Sequence, residues 1–267
     1  ILNCDSYNNC DSLGERGGEL GGKADGFQMY CYDCTTDTDG WQMTYFDKCR
    51  AWNNSDDGWD FLRNTKAVVD SCWAIYNGYP LNGSGQGMKA GLPDQDPPSS
   101  QYIFTYNLSV YNAHGGFRDN CNNQLYHIDS RWYNNTAAFN AGAGFQSSIN
   151  PLAKMNTNIM RNNISFSNPS PYYFEDISIW TQDHNSWNPG INLTNADFIS
   201  VDSTGITGPR KPDGSLPDLN FLKLAQTSEC INAGTNIGLP FSGTNPDLGC
   251  YEFSSSLTMP SIPVINS

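Results

Sequence analysis

The chain has 267 residues, enough for one large domain or two ordinary ones, which excludes a small scaffold held together by disulfides. Charged residues make up 15% and aromatics 13%, so the sequence is neither a disordered acidic tail nor a coiled coil. With 14 Lys and Arg against 27 Asp and Glu, the net charge of -13 excludes a nucleic-acid surface, and no apolar run is long enough to span a membrane.

The start, Ile1-Leu2-Asn3-Cys4-Asp5, does not read as a signal peptide. It opens directly inside the first of six similar segments: Cys4 to Asn9, Cys49 to Asn54, Cys72 to Asn77, Asn107 to Asn112, Asn135 to Asn140 and Asn163 to Asn168. Each begins with Asn or Cys, carries Ala or Ser two residues later, has an aromatic nearby and ends on Asn. The starts are 45, 23, 35, 28 and 28 residues apart. Such a period of 23 to 28 with longer excursions, the interval of 45 being read as two turns, predicts a solenoid of short strands whose coils bury apolar surface only by stacking. Alternation in Lys66 to Asp70 and Gln101 to Tyr106 supports strands, and helical periodicity is nearly absent. The expected fold is therefore an all-β parallel β-helix over residues 1–184; the competing reading is a β-sandwich with coincidental similarity.

The Asn or Cys that opens each segment suits an inward turn position, where stacked Asn side chains form a ladder and a small thiol substitutes. On this reading Cys4, Cys49 and Cys72 are packing residues. From about Asn185 the spacing breaks down and prolines interrupt, so residues 185–267 are expected to form a last coil and an irregular C-terminal cap, with Cys230 and Cys250 as the candidate disulfide. At the other end, a coil that starts without a cap leads us to expect missing coils, self-association or another chain covering it. Cys31-Tyr32-Asp33-Cys34 has CxxC spacing but no second pair, which argues against zinc. N-x-S/T sequons at Asn53, Asn82, Asn107, Asn134, Asn163 and Asn192 are compatible with a secreted glycoprotein.

The densest acidic run is Ser55-Asp56-Asp57-Gly58-Trp59-Asp60, with Lys23-Ala24-Asp25-Gly26-Phe27 one coil earlier. Two carboxylates about 4 Å apart repel by about 4 kcal/mol at an effective dielectric near 20, so the cluster is either solvated, partly protonated or bound to a cation. Oxygen ligands on loops from adjacent coils suit calcium rather than zinc. The residues alone leave two readings, a calcium site and a solvated acidic loop. Gly83-Ser84-Gly85-Gln86-Gly87 resembles a phosphate loop only superficially, because no lysine-threonine pair follows it.

Together, Asp25-Gly26-Phe27, the run from Cys49 to Asp60, Gly85 to Gly91, the coil from Asn107 to Phe117 and Pro246 to Gly249 resemble polysaccharide lyase family nine. That resemblance implies a right-handed parallel β-helix that cleaves pectate or a related acidic polysaccharide by calcium-assisted β-elimination, outside the cell. It implies Asp25, Asp56, Asp57 and Asp60 as Ca2+ ligands and Lys89 as catalytic base. Elimination removes the C5 proton of a uronate, and a cation on the adjacent carboxylate stabilises the charge that develops. Lysine starts near pKa 10.4, so acting at about pH 8 to 9 needs a depression of roughly two units, about 2.7 kcal/mol. Arg50, Arg63 and Arg118 are candidates to bind substrate carboxylates, since guanidinium matches carboxylate bidentately. Trp59 is a candidate platform for a sugar ring, whereas Trp52, at the repeat's aromatic position, reads as packing. The loop after Asp25 is unlike the family's usual one, which leaves substrate identity open. Hydrolysis by paired aspartates and a non-catalytic structural or adhesive β-helix are the alternatives.

Overall fold

The computed structural model describes residues 1–13, 20–30, 43–62, 66–79, 83–91, 100–120, 128–148 and 158–254. Within these the chain winds as a helix of strands, three to a coil. The first coil contributes β1 (Asp5–Tyr7), β2 (Phe27–Tyr30) and β3 (Thr44–Asp47), so the 45-residue interval is one coil and not the two turns expected. The second contributes β4 (Arg50–Trp52), β5 (Trp59–Leu62) and β6 (Lys66–Asp70), and the third β7 (Trp73–Ile75), β8 (Met88–Ala90) and β9 (Ser100–Thr105). Then come β10 (Leu108–Val110), β11 (Phe117–Asp119) and β12 (Ile128–Tyr133), followed by β13 (Thr136–Ala138), β14 (Phe145–Ser147) and β15 (Asn158–Arg161). The last coil holds β16 (Ile164–Phe166), β17 (Tyr172–Phe174) and β18 (Trp180–Asp183). Every third strand pairs in parallel, giving three sheets of six that start from β1, β2 and β3. The expected all-β parallel β-helix is the observed architecture.

Side-chain size explains the cross-section. On the first sheet, Ala51, Ala74, Ser109 and Ala137 are fully buried and stack in register. Opposite them lie large side chains: Trp59, Met88, Phe117 and Phe145 on the second sheet, Val69, Phe104, Trp132 and Met160 on the third. Successive rings stack, with Phe27 and Trp59 centroids 5.1 Å apart and Phe117 and Phe145 5.0 Å apart. The corner between the first and second sheets leaves no room for a Cβ. One built on Gly58 would lie 2.5 Å from the Gly87 carbonyl oxygen.

The repeated segment encodes both ends of each first-sheet strand. The residue before its opening ladder position (Lys48, Ser71, Tyr106, Asn134, Asn162) and the one before its closing Asn (Asn53, Tyr76, Tyr111, Phe139, Ser167) have positive φ. Each such bend costs a non-glycine residue about 1 kcal/mol or more, and side-chain ladders offset that cost. The opening ladder runs from the Cys49 N–H to Cys72 Sγ (3.2 Å), the Cys72 N–H to Asn107 Oδ1 (2.9 Å), Asn107 to Asn135 (3.0 Å) and Asn135 to Asn163 (2.9 Å). The Cys49 and Cys72 thiols are buried and stand in for Asn as expected, whereas Cys4, also expected to pack, is exposed. A second ladder through Asn54, Asn77, Asn112 and Asn140 closes the segments; we read those residues in the sequence only as a motif ending.

The ladders also restrict the sequons. Asn107, Asn134 and Asn163 are fully buried, and their side chains are hydrogen-bonded, so a glycan on any of them is incompatible with this fold. Asn53 and Asn192 are exposed. Asn82, like Cys31, Cys34 and Cys121, lies outside the described residues.

The C-terminal segment departs from a simple end cap. It runs back along the outside of the first sheet, because that face is apolar: Trp52, Trp73, Ile75, Leu108 and Val110 pack beneath Phe198, Ile206, Phe221, Leu222 and Leu224. Its contacts reach from the first coil, where Arg210 binds Asp5, to the turn before β16, where the Gly249 N–H donates to the Asn162 carbonyl. The expected disulfide is also corrected: Cys230 and Cys250 are both free and buried in this second core. Each thiol packs as a small apolar group, and burial pushes both up to about 12.

Candidate functional site

The site forms where the turn after the first sheet enters the second. On β5 the alternation points Trp59 and Phe61 inward and Asp60 outward; on β8 it points Met88 and Ala90 inward and Lys89 outward. Asp60 and Lys89 are register neighbours. The Lys89 Nζ donates to Asp60 Oδ2 at 3.1 Å and to Asp57 Oδ2 at 2.8 Å. Asp57 sits on the turn two residues before β5 and is fully buried. Its N–H donates to Asp25 Oδ1 from the preceding coil at 3.0 Å. Asp25, Asp57 and Asp60 thereby each present a carboxylate oxygen within 4.8 Å of one another.

These groups are held with their charges in conflict. Burial, then the charges of Asp60, Asp57 and Asp56, pushes the Asp25 carboxyl up to about 8. Burial pushes Asp60 up to about 6 and also raises Asp57, both against the pull of the Lys89 ammonium. For Lys89, burial disfavours the charge, but Asp57 and Asp60 outweigh it and hold the ammonium above the ordinary lysine range. Asp60 Oδ1 is buried and accepts no hydrogen bond among the described residues. Three converging carboxylates, one with an orphaned oxygen, fit a hard divalent cation: every donor is an oxygen, and such an ion cancels the repulsion.

The candidates read from the sequence separate cleanly. Asp25, Asp57, Asp60 and Lys89 come together. Asp56 stands outside the trio: its Oδ2 accepts the Lys23 N–H at 2.5 Å and its Oδ1 the Ser84 N–H at 2.6 Å, tying two loops together. Arg118 is beside the site, its strand position paired with Lys89. Two substrate candidates are corrected. Trp59 is fully buried and stacked on Phe27, because its place on β5 faces the core, so no ring face meets a sugar. Arg50 is on the first sheet, under the C-terminal segment; it pairs with Asp5 at 2.7 Å and donates to the Ile206 and Gly208 carbonyls, so its guanidinium is consumed in structure. Trp52, expected to be packing, is in the same core and carries the Arg50 guanidinium 4.7 Å above its ring. Arg63 lies outside the described residues.

Sequence reasoning missed two supports of the trio. Gln28, in register with Asp60, donates its Nε2 to Asp25 Oδ2 at 3.0 Å. The loop that looked superficially like a phosphate cradle turns its amides on carboxylates instead: the Gln86 N–H donates to Asp57 Oδ1 at 2.6 Å. The signal was positional, since Gln86 occupies in its coil the place Asp57 holds one coil earlier.

The described residues thus form a parallel β-helix with an acidic trio and a lysine on the outer face of one sheet. The profile of the Pel9A-like right-handed β-helix region matches residues 1–185. The chain is 31% identical over 261 residues to pectate lyase L of Dickeya chrysanthemi, covering 94% of this chain and 55% of that protein. To pectate lyase PEL9 of Emericella nidulans it is 28% identical over 262 residues, covering 88% and 58%. The crystal structure of pectate lyase Pel9A superposes with a TM-score of 0.72 at 29% identity, covering 95% of this chain and 59% of that one. A rhamnogalacturonan lyase superposes at 0.67 with 31% identity, covering 85% and 57%. The chain therefore belongs to the Pel9A-like right-handed β-helix family, and it spans little more than half the length of these relatives.

Proposed function

We propose that the protein is an extracellular polysaccharide lyase that cleaves pectate or a related polyuronate by calcium-dependent β-elimination. The observation that carries this reading is the Lys89 amine set against the trio of Asp25, Asp57 and Asp60 on an outward sheet face. Asp25, Asp57 and Asp60 would hold a calcium ion, whose charge would acidify the uronate C5 proton and stabilise the enolate-like charge left when it goes. The chain's own residues do the rest. Asp25, Asp57 and Asp60 hold the ion, while Asp56 and Gln28 fix the loops that present them. Lys89, its Nζ beside Asp57 and Asp60, acts as general base: it takes the C5 proton as the C4–C5 double bond forms, the C4–O4 bond breaks and the leaving oxygen gains a proton from water.

Its amine must first be neutral. Burial of Lys89 already favours the neutral form, and Asp57 and Asp60 alone keep the proton on. Once those two carboxylates are engaged as ligands, burial prevails and the amine titrates lower, which predicts an alkaline optimum. Arg118 is positioned to receive a substrate carboxylate. The test is an assay with calcium on a panel of polyuronates, following the unsaturated product by ultraviolet absorbance, for the native chain and Lys89→Ala. Loss of product in the variant supports the assignment; normal activity of Lys89→Ala on every substrate refutes it, and reducing ends without unsaturation would indicate hydrolysis.

A further inference from the structure

The outward residues of the second sheet form one column in strict register: Gln28, Asp60, Lys89, Arg118, Gln146 and Tyr173. The first three belong to the site already described; the last two have no part in it. Strands in a sheet are about 4.8 Å apart, so Tyr173 is about 14 Å from Lys89, with Arg118 and Gln146 at equal steps between. That step is close to the length a pyranose adds to an extended polysaccharide.

The column's far end is built to hold a ring. Tyr173 is 62% exposed on β17, yet its backbone is pinned on both sides. The Phe145 N–H donates to the Pro171 carbonyl and the Glu175 N–H to the Ser147 carbonyl. Its neighbours Tyr172 and Phe174 stack on each other at 5.3 Å, facing the core. A single exposed aromatic is ordinary on a protein surface; one held rigidly in line with a catalytic lysine is not. Between them, Gln146 lies over a floor of glycines. A Cβ at Gly115 would be 2.8 Å from the Gln146 Cδ, and one at Gly142 would be 3.1 Å from its Nε2, so bulkier residues there would displace the amide.

We propose that Arg118, Gln146 and Tyr173 form consecutive sugar subsites, so that the acidic polysaccharide lies along the helix axis from the acidic trio toward the last coil. Arg118 takes a carboxylate, the Gln146 amide a hydroxyl, and Tyr173 stacks under a pyranose ring. This rests on the lyase reading and adds the direction and length of the bound polymer. The test uses polyuronate oligomers of graded length with the native chain, Tyr173→Ala and Gln146→Ala, each checked for an unchanged melting temperature. Tyr173→Ala raises KM about five- to ten-fold for oligomers long enough to reach it and leaves shorter ones unchanged. Gln146→Ala begins to act one sugar earlier. Equal effects at all lengths, or none, overturn the proposal while leaving the lyase reading intact. A native chain that makes no unsaturated product from any oligomer removes the lyase reading instead. Retardation in gels containing polygalacturonate then decides the subsites: retardation lost in Tyr173→Ala supports them, and equal retardation of both proteins, or of neither, overturns them.

Discussion

Without a cation, the trio makes the folded chain sensitive to pH in a direction that calcium reverses. Asp25 has its pKa raised from 3.8 to about 8. The stability it contributes as a neutral acid is complete below pH 3.8 and is lost as pH rises through about 8, because only the folded state holds that proton. At about 1.4 kcal/mol per unit, the full shift corresponds to about 6 kcal/mol, and partial solvent contact at Asp25 reduces the expected loss to about 3 kcal/mol. For a chain of this size that is roughly 6 to 10 °C of melting temperature. Calcium binds the ionised oxygens for which protons compete, so its stabilisation should grow with pH. The assay is thermal unfolding at pH 5, 6, 7 and 8, with excess EGTA or with millimolar calcium. The EGTA series should fall with pH while the calcium series stays nearly level, so the two diverge most at pH 8. Coincident curves at pH 8, or a larger calcium increment at pH 5, would refute the reasoning that Asp25, Asp57 and Asp60 form one cation site.

Three further outcomes follow from named contacts. Lys89→Ala should cut elimination by about 10²- to 10⁴-fold, the usual contribution of a general base; because it also unpairs Asp57 and Asp60, melting should drop in EGTA and recover with calcium. Arg50→Ala should cost about 1 to 3 kcal/mol by leaving the Ile206 and Gly208 carbonyls without their donor, while Asp5 keeps Arg210, measured by denaturant unfolding. Activity per folded molecule should be unchanged, and a selective rise in KM would restore Arg50 as a substrate ligand. Asn107→Ala removes the acceptor for the Cys72 N–H and the donor to Asn135 Oδ1 and the Val69 carbonyl, costing about 2 to 4 kcal/mol. The same measurement on Asn192→Ala, an exposed site away from the positive-φ bends, should change stability by well under about 1 kcal/mol.

The coil architecture was legible because each coil repeats the same problem of backbone geometry. Every first-sheet strand needs a bend before and after it, and every bend needs a side chain that caps the preceding coil's amide, so Asn or Cys recurs at fixed places. The acidic trio was legible because carboxylates so dense in a sequence require compensation. The roles of Trp59 and Arg50 were not. Both sit in the same motif as Asp57 and Asp60, but which face a strand residue takes depends on register, and a one-residue difference separates Trp59 in the core from Asp60 in the site. The path of the C-terminal segment was hidden for a related reason. The apolar outer face of the first sheet is spread over coils 23 to 35 residues apart, so no local window reveals that it needs a cover.

The position of the site follows from the narrow corner of the coil. The column Gly26, Gly58, Gly87, Gly116 and Gly144 admits no side chain, and a Cβ at Gly26 would already be 2.5 Å from the Ala51 Cβ. Stripped of side chains, this corner brings the turn of one coil within hydrogen-bonding distance of the next, which is how the Asp57 N–H reaches Asp25. The residue just before each glycine and the second residue after it then project on the same side. In the first two coils these positions are Asp25, Gln28, Asp57 and Asp60; in the third they are Gln86 and Lys89. Placing acids at the start of this repeated frame and a lysine one coil later gathers the trio and the amine without any special loop. Continuing the frame into later coils gives Arg118, Gln146 and Tyr173. A helix of this kind can therefore change its acidic trio and the later residues of the same column independently, because residues one coil apart share a frame but not a neighbourhood.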